Sequence, residues 1–183
     1  MRRLVPVVLL LAAAAAGVAV WTVGTEPGWY QQLRYPLRYE AIVRTHARNH
    51  DLPPTLLAAV IYTESKFDAD ARSGAGAIGL MQLLPETAKG IALRTGGHGF
   101  VVADLYDPEI NVRYGSWYLR NLLDRYDDVP TALAAYHAGQ GNVDEWLREG
   151  RAIEFPETRA YVDEVTRVTQ VYAKAYASEL GLL

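Results

Sequence analysis

Glu64 is the residue whose position most suggests chemistry. Leu57, Val60 and Ile61 precede it by seven, four and three positions, so on a helix its carboxyl shares a stripe with apolar side chains. Such surroundings disfavour the ionised form and raise a carboxyl's pKa toward neutrality, which is the property a general acid needs. A glutamate near a helix end can also reach past its neighbours to water, so the segments that follow have to be weighed with it.

Two segments stand out. Ser73-Gly-Ala-Gly-Ala-Ile-Gly-Leu-Met-Gln82 carries almost no bulk on the approach to the Gln82 amide, and small residues let a backbone come close to a ligand. Read alone it is also a turn between helices, and Gly74, Gly76 and Gly79 lack the Lys and Ser/Thr spacing of a phosphate loop. Ala135-Tyr-His-Ala-Gly139 places an aromatic and a histidine at a helix end, where Gly139 acts as a C-cap and Tyr136 belongs either to a site or to the core. Four tryptophans and twelve tyrosines suit sugars, which offer an apolar face and a hydroxyl rim, although most of these rings are expected in the core. Asp68 and Asp70 follow the helix end, where Asp commonly forms turns, so Glu64 has no clear carboxylate partner. His46, His50, His98 and His137 form no metal-ligand grouping with acids, and neither a metal nor a cofactor is expected.

The elements that must hold these residues are helical. Apolar periodicity punctuated by Gly, Pro and Asp, with few alternating runs, predicts an almost all-α domain. A first helix spans about 37–49, with Leu37, Ala41, Ile42 and Thr45 on one face. A second starts after Asp51, with Pro53 and Pro54 in its first turn, and runs to about Lys66. Residues 67–79 form a loop that allows a short two-stranded hairpin, and a third helix follows Pro85. Asp107-Pro108 is an N-cap with Pro at the first helical position, opening a fourth helix to about Tyr126. Pro130 opens a fifth that Gly139 closes, residues 142–148 form a short one, and Pro156 precedes a last helix with Tyr161, Val165, Val168 and Tyr172 as its stripe.

Composition narrows the function classes. Half the residues are apolar and 21% are charged in 183 residues, which fits one globular domain. A net charge of −3 gives no footprint for a phosphate backbone, so nucleic acid is not an expected partner. The absence of cysteine excludes disulfides, thiolate metal sites and a Cys nucleophile. Arg2 and Arg3 precede an apolar run from Leu4 to Val23, close to the roughly 20 residues needed to span a bilayer and longer than a usual signal core. Residues 1–24 are therefore expected to be a signal peptide or an N-terminal membrane anchor, 25–35 a linker, and 36–183 the folded domain. The basic pair leaves that domain outside the cytoplasm.

Glu64-Ser65, the segment Ser73 to Gln82, Ala135 to Gly139 and Glu157-Thr-Arg-Ala-Tyr-Val162 occur in an order and spacing that resembles the soluble lytic transglycosylase family, relatives of goose-type lysozyme. The likeness covers about residues 51–172 and includes Asp107-Pro-Glu-Ile-Asn111 with Gly115. It implies a compact lysozyme-like fold in which Glu64 is the catalytic glutamate and peptidoglycan strands are the substrate. It also implies that Ser73 and Gln82, with Gly79 and Met81 of the same motif, serve the sugar sites. Tyr136 would then hydrogen-bond near the carboxyl, and Glu157 and Tyr161 would border the sugars. His137 stands where the family usually has asparagine, and Leu84 where methionine is frequent.

Glycosidases ordinarily use two carboxylates. A lytic transglycosylase needs one, because the C6 hydroxyl of the N-acetylmuramic acid attacks its own C1 and leaves a 1,6-anhydro end. The competing readings are a hydrolytic muramidase in the same cleft, a glycan-binding module that does not cut, and a membrane-tethered interaction domain. The protein is expected to act as a monomer on the outer face of the membrane, anchored or secreted.

Overall fold

The computed structural model describes residues 27–182, so the expected N-terminal hydrophobic helix over 1–24 lies outside the described residues. The chain divides into two compact units between residues 36 and 37. In the first, α1 (Gly28–Arg34) occupies part of the stretch whose Pro, Gly and glutamines suggested a linker. The Pro27 carbonyl starts it by accepting from Tyr30 N at 2.9 Å and Gln31 N at 3.1 Å. Among the described residues no helix is long and apolar enough to cross a membrane.

The second unit holds seven helices: α2 (Glu40–Asn49), α3 (Pro54–Ser65), α4 (Pro85–Thr95), α5 (Pro108–Tyr126), α6 (Val129–Ala138), α7 (Gln140–Arg148) and α8 (Pro156–Ala175). A 3-10 turn over Val102–Tyr106 precedes α5, and the described residues contain no strand. The all-α expectation holds, and proline sets most of the starts. Pro54, Pro85, Pro108 and Pro156 sit at the first helical position, where the missing N–H has no helical partner to lose. Asp107 accepts from Glu109 N at 2.8 Å and Ile110 N at 3.1 Å, capping α5. Asp128 caps α6 through Thr131 N at 2.8 Å, one residue earlier than the Pro130 signal suggested.

α3 is the spine of the domain. Leu57, Ala58, Ala59, Val60 and Ile61 are wholly buried, with α8 along one side and α2 along another. The helix therefore has no polar face at all, rather than the single apolar stripe that the spacing suggested. Beyond Pro54 at its start, it opens to solvent near its C-terminal end, where Thr63 and Glu64 are half-buried.

Two expectations need correction. The first helix starts at Glu40 and buries Val43, His46 and Ala47, whereas Ala41 and Thr45 are exposed. The stripe is rotated because His46 turns inward and its Nε2 meets Glu109 Oε1 at 2.7 Å, a polar pair that apolar counting does not register. The loop after α3 forms no hairpin. It makes two isolated antiparallel bridges, Arg72 with Ile78 and Ile78 with Leu83, enough to fold the segment back on itself over Leu105 and Tyr114.

Candidate active site

The end of α3 reverses direction sharply. Lys66 and Phe67 both adopt left-handed backbone conformations, φ 55° and 62°, and the Lys66 N–H closes the helix on Tyr62 O at 2.9 Å. The chain then loops back, and the Ser65 hydroxyl ties the two parts together through Leu80 O at 2.8 Å and Ile61 O at 3.1 Å. Glu64 is thereby held beside the small-residue loop.

The loop is pinned from behind by α5. Asn111, wholly buried, accepts from Met81 N at 2.8 Å and donates to Ile78 O at 2.9 Å and Leu105 O at 2.8 Å. All three bonds go to backbone groups that would otherwise be buried without partners. Gly79 makes this possible. Its φ is 79°, and a Cβ there would come within 3.0 Å of Leu105 O and the Asn111 side chain. Gly115 does the same one turn further along α5, where a Cβ would press into Met81.

A cleft of about 400 Å3 opens between this loop and the ends of α3 and α6, and it is bordered by Glu64, Ser73, Gln82, Tyr136 and His137. Gln82 has a left-handed backbone, φ 46°, and its Nε2 donates to Gly79 O at 2.9 Å and Ala71 O at 3.1 Å. The amide nitrogen thus braces the loop. Ser73 Oγ accepts from Ala77 N at 3.0 Å, fixing the loop tip. Tyr136 donates its hydroxyl to Met81 O at 2.7 Å, joining α6 to the loop directly beside the carboxyl.

Burial pushes the Glu64 carboxyl up to about 7, against a smaller opposing pull from the Tyr161 hydroxyl and the Lys66 ammonium. Tyr161 is buried on α8, and its hydroxyl acts on the Glu64 carboxyl from behind the cleft. Tyr136 and Tyr161 are both held well above the usual phenol range, by burial first and then by the Glu64 charge. Two neutral phenols therefore flank a carboxyl poised to exchange a proton near neutral pH. Among the described residues lining the cleft, Glu64 is the single carboxylate. Asp68 is exposed and accepts from Asp70 N at 3.0 Å, the turn-forming role its position suggested.

The structure does not bring every expected residue to the cleft wall. Met81 is wholly buried, and Gly79 within the loop is pressed against Leu105 and Asn111 on the side of α5. Tyr161 stands behind the wall, and Glu157 is exposed in the first turn of α8. Thr87 and Tyr118 do line the cleft and carried no sequence signal. Asn111, named in the sequence only as part of the Asp107 to Asn111 block, holds the loop from behind, a role that spacing alone does not reveal.

A second cavity, of about 300 Å3, lies between α2, the end of α4 and α5, near His46, His50 and Trp117. It is lined by no carboxylate and is walled largely by apolar surface. No group of three or more His, Cys, Asp or Glu side chains among the described residues could hold a metal ion.

The loop, the spine helix and the lone carboxyl define a class of fold that comparison with known proteins makes specific. The Transglycosylase SLT domain family matches residues 41–157, and the chain belongs to that family. It is 42% identical over 103 residues to the transglycosylase of Enterobacteria phage PRD1, covering 56% of this chain and 36% of the phage protein. It is 31% identical over 151 residues to the soluble lytic murein transglycosylase of Escherichia coli strain K12, covering 76% of this chain and 23% of that protein. The 70 kDa soluble lytic transglycosylase of Escherichia coli superposes with a TM-score of 0.75 at 29% identity, over 84% of this chain and 27% of that one. An inactive mutant of the Pseudomonas aeruginosa lytic transglycosylase Slt, with glutamine in place of a glutamate, superposes at 0.73 with 32% identity, over 85% and 27%. The fold is the all-α, lysozyme-like one of these domains, and the chain spans between 23% and 36% of the length of these relatives.

Proposed function

We propose that this domain is a peptidoglycan lytic transglycosylase that cleaves the N-acetylmuramic acid to N-acetylglucosamine β-1,4 bond, with Glu64 as its single general acid and base. The observation that carries the reading is the lone half-buried carboxyl raised to about 7 in a cleft lined by no second carboxylate. A double displacement through a protein nucleophile, or a water held by a second carboxylate, needs that partner. An intramolecular attack by the substrate does not.

In this mechanism protonated Glu64 gives its proton to the glycosidic oxygen as the bond to C1 breaks, and N-acetylglucosamine leaves with a free 4-hydroxyl. The N-acetyl group steadies the positive charge that develops at C1. The C6 hydroxyl of the same N-acetylmuramic acid then bonds to C1, and the Glu64 carboxylate takes its proton. Water is not consumed, and Glu64 ends as it began. No metal or cofactor enters any step. Ser73, Gln82 and Tyr136 border the sugars, Gly79 and Met81 shape the wall, and Tyr161 and Glu157 act from α8.

The setting follows from the same reading. Residues 1–24 serve as an export signal or membrane anchor, 25–35 connect, and 36–183 work as a monomer on the wall outside the cytoplasm. Similar proteins named as membrane-bound lytic murein transglycosylases support this placement.

Mass spectrometry of muropeptides released from purified sacculi tests the reading, with Glu64→Gln beside the wild-type chain. Anhydro ends that disappear in the variant are expected. Reducing ends would instead make the protein a hydrolytic muramidase, and no release at all would leave a glycan-binding module.

A further inference from the structure

His137 occupies the cleft wall at the end of α6, and its surroundings specify more than a filler. Its Nδ1 lies 3.0 Å from Thr158 Oγ1, and its ring rests on the Tyr161 ring with centroids 4.6 Å apart and planes 31° apart. Thr158 is wholly buried in the first turn of α8, and its hydroxyl has no other hydrogen-bond partner among the described residues. A buried hydroxyl proton without an acceptor is costly, so Thr158 donates and Nδ1 accepts. That assigns the proton of a neutral imidazole to Nε2. Partial burial of the otherwise exposed ring lowers the His137 pKa, with Glu157 pulling it back up, a balance that favours the neutral form.

The geometry points to His137 as a glycan-contacting residue whose Nε2–H, oriented by Thr158 and backed by Tyr161, donates a hydrogen bond to the carbonyl oxygen of a sugar N-acetyl group. The assignment rests on the proposed function for its ligand class and adds a recognition element to that site. An imidazole in this arrangement offers the cleft one directed donor and no charge. An N-acetyl carbonyl is the strongest neutral acceptor that an N-acetylated glycan displays, and a plain glucan lacks it. The cleft would thus read the acetamido groups from the α6 wall, while Glu64 acts from the α3 side.

The test uses the full chain in mild detergent, labelled with nitrogen-15 at histidine and titrated with penta-N-acetylchitopentaose, with cellopentaose as the control that lacks acetamido groups. His137 resonances are assigned by their loss in His137→Phe. The free protein is expected to show the Nε2–H form, and the acetylated oligomer to move the Nε2 signal saturably while cellopentaose does not. His137→Phe, which retains a ring against Tyr161, should weaken binding of the acetylated oligomer about fivefold to tenfold with an unchanged melting temperature. Thr158→Val should weaken it less and mix the two tautomers. An Nδ1–H form, an unmoved Nε2 signal at saturation, wild-type affinity in His137→Phe, or failure of the wild-type chain to bind the oligomer each overturns the assignment. The two readings fail separately. Anhydro products with an unmoved His137 refute only the recognition role, whereas His137-dependent binding without cleavage refutes the transglycosylase and leaves the recognition role standing.

Discussion

Glu64→Gln should make the protein more stable above neutral pH while abolishing its chemistry. The folded-state pKa of Glu64 is raised from the ordinary 4.5 to about 7, so the unfolded chain releases this proton at lower pH than the folded one. The stability that the neutral carboxyl allows is fully present below about pH 4.5 and is lost as pH rises through 7. A displacement of about 2.5 pH units at about 1.4 kcal/mol each gives about 3.5 kcal/mol, or about 2–3 kcal/mol once the residual exposure of the carboxyl is allowed for. Glutamine is isosteric and uncharged, so the variant should match wild type at pH 4 and exceed it at pH 8 by that amount. For a domain of this size the difference corresponds to a melting temperature higher by roughly 5–10 °C. Thermal melts of both proteins by circular dichroism, at intervals from pH 4 to pH 9, measure it directly, since subtracting one curve from the other cancels every other titrating group. A difference that stays flat across the range would refute the burial of Glu64 as an acid and remove the physical basis for its catalytic role.

The same carboxyl sets the rate. The kcat/KM of glycan cleavage should fall tenfold per pH unit above a midpoint near 7, the limb belonging to Glu64, and a midpoint near 4.5 would contradict the assignment. Asn111→Ala should lower stability by about 2–4 kcal/mol, because it strips partners from three buried backbone groups. Its residual folded fraction, measured well below the melting temperature, should still lose most activity, since the loop wall depends on that side chain. Full activity in the folded variant would show that the pin is dispensable.

Much of the fold could be read from punctuation. Proline at the first helical position and aspartate before it mark starts by local chemistry alone, and α5 and α8 begin where Pro108 and Pro156 place them. The placement of Glu64 against apolar surface was also legible, because spacing along one helix determines which side chains share a face. What escaped were the long-range polar contacts. The inward turn of His46 depends on Glu109, 63 positions away, and the roles of Gly79 and Gly115 depend on Asn111 and Met81 packed against them. No periodicity encodes such pairs. The helix α1 was hidden for another reason, since Gly and Pro at its start read equally well as connecting chain. The motif resemblance named Gly79 and Met81 without indicating that both pack against α5.

The small-residue loop has two halves of different character. From Ala77 to Leu83 nearly every residue is buried and tied to α3, α5 or α6, whereas Gly74 and Ala75 are exposed at the tip and a side chain at Gly74 would meet nothing. Diversification has one open door here. Insertions or bulky residues at the tip extend the rim of the cleft without disturbing the carboxyl, while a single added residue on the other side of Ala77 would shift the Asn111 attachments out of register. The tip can therefore change length while the inner half stays fixed, a separation that leaves the rim of the cleft free to vary independently of the carboxyl.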